Sequence, residues 1–257
     1  MDIKINETNN KNLMSIRHTH IKKKFTFLTI IFAIVFITSF TIGRYPLTIK
    51  QLLDFLILRF FDVSKDLPDV VGTVIMNLRL PRILAAVLVG SSLAASGAAY
   101  QGIFKNPLAS PDVLGASAGA AFGASLAIYF SFSHYGIQLV AFIFGIVSVL
   151  LAFTISQRIR TDSAVALVLT GMLVGTLFSS AISLIKYVAD PFDKLPAITF
   201  WLMGSLSGMS IRSVKFACIP ILISLTVLYF MRWQINVLSL GDEEAKKRLC
   251  EANLRLV

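Results

Sequence analysis

The chain has 257 residues, 56% of them apolar and only 15% charged. That leaves too little polar surface to cover a soluble globule and assigns the chain to a bilayer. The net charge of +10 comes from lysines and arginines at the ends of long apolar runs, not from a basic stripe with interleaved aromatics, so it reads as membrane topology and excludes nucleic-acid binding.

Residues 1–24 form a basic tail with Lys4, Lys11, Arg17 and the run Lys22, Lys23, Lys24, which the positive-inside rule keeps in the cytoplasm. Uninterrupted apolar stretches then predict six spans, over residues 25–43, 83–104, 113–132, 137–157, 163–185 and 213–231. At about 1.5 Å rise per residue, a helix of roughly 19 residues covers the hydrocarbon core. The first run exceeds a signal-peptide core and lacks an A-x-A cleavage site, so it reads as a retained helix. Six crossings return the C-terminus to the cytoplasm.

Residues 44–78 form the first outer loop, expected to be periplasmic. Within it Thr48 precedes Ile49, Leu52, Leu53, Leu56, Ile57 and Phe60, the spacing of an amphipathic helix with a threonine cap. It is expected to lie on the outer membrane face as a structural surface helix. The second span carries Gly90, Ala94, Ala98 and Gly102, the third Gly115, Gly119 and Gly123, and the fifth Gly171 and Gly175. Lipid is as apolar as leucine, so helices associate through close backbone approach, and small residues four apart mark tight bundle interiors.

Between the second and third spans, Asn106, Pro107, Pro111 and Gly115 break the helix, and Asp112 falls in the first turn of the next one. A helix N-terminus there favours the carboxylate, and broken helices often border transport pathways. Pro220 is expected to kink the sixth span. No span holds an ionisable residue at its centre, which excludes a proton relay or voltage sensor. Paired acids, HExxH and Ser/His sets at bilayer depth are missing too, so the chain is not read as an enzyme. Cys218 and Cys250 form no CxxC, and His18, His20 and His134 read as solvated, so no metal or cofactor is assigned. There is no Walker A loop, and an ATP-driven process would require a partner ATPase.

The run Arg79-Leu80-Pro81-Arg82, then Gly97-Ala98-Ala99-Tyr100-Gln101-Gly102, then Asn106-Pro107-Leu108-Ala109 with Pro111, Leu114 and Gly115, resembles the FecCD-type family of ABC importer permeases, which carry iron-siderophore, haem or cobalamin. The likeness continues through Trp201-Leu202-Met203-Gly204-Ser205-Leu206 and Leu238-Ser239-Leu240-Gly241-Asp242-Glu243-Glu244-Ala245. It implies an all-α polytopic helical bundle in the cytoplasmic membrane, with about six of the family's ten helices present in a single permease domain over 25–257. It also implies a second permease subunit in a homo- or heterodimer, two cytoplasmic ATPase subunits and an extracytoplasmic substrate-binding protein. Arg79 and Arg82 would meet acidic residues of the binding protein. Within a cytoplasmic segment over 236–257, Leu240, Gly241, Asp242, Glu243, Glu244 and Ala245 would couple to the ATPase. The fifth span would line the pathway, with an inner gate near Thr161, Asp162 and Ser163, and residues 195–207 would form a re-entrant outer segment.

Iron(III)-siderophore is the expected cargo, with haem or cobalamin as alternatives. The family pattern continues with four more spans where this chain reads Lys246-Lys247-Arg248 and stops at Val257. The reading from sequence is therefore a truncated product, or one completed by a separate piece, and a non-functional fragment is a further alternative.

Overall fold

The computed structural model describes residues 2–43, 45–61, 69–105, 110–159 and 163–239; side chains are described from residue 21 onward, except at 56, 58–61, 69, 163 and 164. Every regular element among them is a helix. Two compact units emerge, Met1–Ala86 with Met209–Lys215, and Val87–Gly208 with Phe216–Val257.

In the first unit, α1 runs from Asp2 to Thr41, so the helix of the first span continues back through the basic tail. Its apolar stretch Ile21–Thr41 is long enough to cross a membrane. Helix α2, Ile49–Phe61, begins after Thr48, whose backbone N–H donates to Gln51 Oε1 at 2.9 Å, one half of a capping box. The threonine therefore marks the start as expected, and Gln51 supplies the cap bond. Leu47 and Leu52 are buried with Val71 and Ile75, and Phe40, Phe55 and Val74 pack around them.

The second crossing helix begins well before Ile83. Helix α3, Asp69–Thr73, passes through a π-helical turn, Val74–Arg79, into α4, Leu80–Phe104. The Leu80 N–H donates to Ile75 O in that turn. The C-terminal part of the expected loop is thus helical and continuous with the span. Proline does not stop it, because Pro81 directly follows the π-helical turn, where the i→i−4 ladder that its missing N–H would join is already interrupted.

In the second unit, a 3-10 turn over Pro111–Leu114 and left-handed Gly115 (φ 71°) precede α5, Ala116–Tyr129. Helix α6 spans His134–Ser156, with Ser133 Oγ accepting from the Gly136 N–H, and α7 spans Ser163–Val188. A short helix, α8, Lys194–Met203, overlaps the segment read as re-entrant. The long helix α9, Ile211–Leu238, starts among residues of the first unit, joins the second from Phe216 and runs on through Pro220.

Among the described residues five helices are long and apolar enough to cross a membrane, where the sequence predicts six. The correction falls on the third span. With 14 residues, α5 is about 21 Å long, short of a ~30 Å hydrocarbon core. The apolar composition extends over 113–132, but the Pro111–Gly115 turn consumes its start, and Phe130 to Phe132 close its end with backbone bonds to Leu126, Ile128 and Ala127.

Candidate functional site

The first candidate surface is built where α1 ends. The carbonyls of a helix's last turn have no intrahelical donor, and the dipole there favours a cation. Arg79 meets this need: its guanidinium donates to Phe40 O and to Tyr45 O, and the residue is only 8% exposed. The π-helical turn ends on Arg79. Gly43 lets the guanidinium approach, since a Cβ there would lie 3.0 Å from its Nη2. Arg82, one turn on, is exposed. Both arginines line a cavity of about 320 Å³, together with Ser39, Gly43, Tyr45 and Val74. The sequence marks Arg79 and Arg82 alike; the structure separates them, one under backbone carbonyls and one at the surface. The partners at Phe40 and Tyr45 carry no sequence signal, because they act through their backbones.

The helix-break motif forms the second. Ser110 has extended backbone (φ −128°, ψ 160°) and Pro111 opens the 3-10 turn, where a missing N–H costs nothing. The Asp112 carboxylate accepts from the Ser117 hydroxyl at the start of α5. Gly115 O accepts from the buried Ser148 Oγ at 2.8 Å and from the Gly119 N–H at 2.9 Å. On the other side, a Cβ on Gly171 of α7 would lie 2.7 Å from Leu114 Cα, so this turn and α7 meet backbone to backbone. Thr170 Oγ1 donates to Ala152 O at 3.0 Å and joins α7 to α6. The Pro111–Gly115 turn is thus locked among three helices. Ser148 and Thr170 were missed from sequence, since a single hydroxyl in an apolar run looks the same whether it bonds its own helix or a neighbour.

Helix α7 has two faces. Ala166, Thr170, Val174, Phe178 and Ile185 are buried, while Leu169, Leu173, Leu177, Leu184 and Tyr187 are exposed. On the exposed side Thr176, Ser179, Ser180 and Ser183 turn their hydroxyls back onto backbone carbonyls of the preceding turn. The open face is therefore weakly polar and carries no charge until Lys186 in the last turn.

A groove of about 490 Å³ between α4 and α9 is lined by Ala95, Ala98, Gly102, Leu225, Ile235 and Arg232, whose guanidinium lies 4.2 Å from the Tyr229 ring. Among the described residues no group of three or more His, Cys, Asp or Glu side chains is placed to hold a metal. Asn106, Pro107, Thr161, Asp162 and the coupling residues Leu240 to Ala245 lie outside the described residues; Ser163 is the first residue of α7.

Comparison with known proteins bears on these elements together. Residues 31–248 match the FecCD transport family. The chain is 40% identical over 219 residues to the molybdate import system permease protein MolB of Haemophilus influenzae, covering 85% of this chain and 64% of that protein. It is 39% identical over 172 residues to a probable iron chelatin transport system permease of Helicobacter pylori, covering 67% of this chain and 52% of that one. The chain thus spans between half and two thirds of the length of these relatives. A solved metal-chelate-type ABC transporter in an inward-facing conformation superposes with a TM-score of 0.74 at 38% identity, covering 88% of this chain and 67% of that one. An all-helical membrane architecture, the Arg79 to Arg82 run, the proline–glycine break before α5 and a family match over residues 31–248 make this chain a member of the FecCD transport family.

Proposed function

We propose that the chain is the membrane-spanning permease component of an ATP-driven importer in the cytoplasmic membrane, carrying an iron(III) chelate inward without bond chemistry of its own. The match over residues 31–248 carries this reading. The open face of α7 supports it, because a weakly polar, uncharged lining lets a bound complex slide without trapping it. In this reading the N- and C-termini lie inside, residues 161–163 gate the inner end, and Leu240 to Ala245 seat against one of two ATPase subunits. A second permease subunit completes the pathway.

A substrate-binding protein docks at the arginines. Arg82 presents its charge to an acidic partner, and charge pairing across a wet interface steers encounter without locking the complex. Arg79 contributes by holding the Phe40 to Tyr45 turn in place. Arg82→Glu is expected to weaken binding-protein association while leaving membrane insertion unchanged, whereas Arg79→Glu is expected to lower the yield of folded protein as well. Unchanged association in both variants, measured by co-purification from membranes, retires the docking assignment.

Molybdate is the second cargo reading, favoured by the 40% identity to a molybdate permease. Uptake of labelled ferric siderophore, molybdate, haem and cobalamin into vesicles holding the chain with its ATPase and binding protein separates the readings. Transport of the siderophore alone supports the first.

A further inference from the structure

Helix α2 divides into three sectors. At about 100° per residue, Ile49, Leu53 and Ile57 share an arc of roughly 80°, Lys50, Asp54 and Gln51 fill the next, and Leu52 and Phe55 share a third. The third sector is already used, because Leu52 and Phe55 pack with Phe40, Val71 and Ile75. The polar sector faces solvent at Lys50, which is exposed. The first sector has no cover among the described residues: Ile49, Leu53 and Ile57 are 63%, 52% and 51% exposed.

The contacts of α2 fix its depth. Phe40 lies in the last turn of α1, and Val71 in the first turn of the span Val70–Phe104. The helix therefore stays at one end of two membrane-crossing helices and does not run down their sides. That span has 35 residues, about 50 Å, which exceeds the hydrocarbon core by roughly 20 Å and leaves its first turns at headgroup level. A helix held there, with one apolar flank, one polar flank and a lysine between them, meets the chemistry of the lipid boundary on its apolar side.

We propose that α2 is an interfacial anchor whose Ile49, Leu53 and Ile57 insert among the acyl chains of the leaflet, with Lys50 at headgroup level. The anchor holds the Leu47–Ile75 cluster against the membrane surface. It goes beyond transport itself, since it assigns a lipid partner to a face that cargo and ATPase leave unused.

Spin labels on the full chain in lipid nanodiscs test it, with Cys218 and Cys250 replaced by serine. Labels at Ile49→Cys, Leu53→Cys and Ile57→Cys are expected to be severalfold more accessible to oxygen than to a water-soluble nickel chelate, relative to Lys50→Cys as the polar control. Accessibility to the nickel chelate at all three matching Lys50→Cys places the face in water and overturns the proposal. Inaccessibility to both reagents means that protein covers the face, and overturns it equally. Because the readout is local, its failure leaves the transport reading standing, and a failed uptake assay leaves the anchor standing.

Discussion

In α5, a Cβ added at Gly119 would lie 2.5 Å from Ser148 Cβ and 2.6 Å from Phe144 O, and one at Gly123 2.7 Å from Val140 O. In α4, Gly90 and Gly97 have no such neighbour within 4 Å. Both helices carry small residues in apolar surroundings, and sequence treats them alike. The difference teaches that a small-residue row records the ability to pack closely, while a partner must be supplied by the fold. In α5 to α7 the partner is another described helix, and Phe122, Phe144 and Phe178 fill the space left between glycine contacts. Among the described residues the glycines of α4 meet a partner only near its end, where Gly102 would bring a Cβ to 3.3 Å from Ile235.

Substitutions can break this contrast, and Gly171→Ala should do most. Its Cβ would run into the backbone of Val113 and Leu114, which cannot yield as a side chain can. A loss of about 3 kcal/mol or more is expected, seen as a large drop in the thermal midpoint of the detergent-solubilised protein. A midpoint equal to the parent's would mean that α7 and the turn before α5 are not in contact.

Gly119→Ala comes next, at about 2–3 kcal/mol, because Ser148 sits on α6 and the two helices must part to admit a methyl group. Ser148→Ala sharpens the picture from the other side. It removes the 2.8 Å bond to Gly115 O without adding volume, and about 0.6–1.5 kcal/mol is expected, in line with interhelical hydrogen bonds in membranes. Gly97→Ala should do least, within about 0.5 kcal/mol of neutral and towards stabilisation, since alanine is the better helix former and the site is open. A loss there as large as that of Gly119→Ala would erase the distinction between the two helices.

Much of the fold was legible from the chain. Apolar run length located α1, α4, α6, α7 and α9 within a few residues at their apolar cores, because a bilayer demands about 20 apolar residues per crossing and composition alone reports that. The threonine before α2 and Pro111 before α5 marked real boundaries, since capping and proline sterics act within a turn. The third span misled because composition counts apolar residues without asking whether they are helical, and Phe130 and Phe132 are apolar but lie beyond the end of α5. The start of the second span misled in the opposite sense, since Asn77 and Arg79 look like a loop and are helical because a π-helical turn places Arg79 on the carbonyls of α1.

By itself the sequence determined membrane residence, the number of long crossing helices to within one, and membership of a permease family, because these follow from hydrophobic length and from short motifs read in order. Only the tertiary structure decided that Arg79 is buried under the end of α1 while Arg82 stays at the surface, that the break at Gly115 is locked by Ser148 and Gly171, and that α2 keeps an apolar flank uncovered. These depend on which atoms far apart along the chain come within a few ångströms of each other. Backbone carbonyls and absent side chains, which supply most of those contacts, leave no mark in the residue types of their partners.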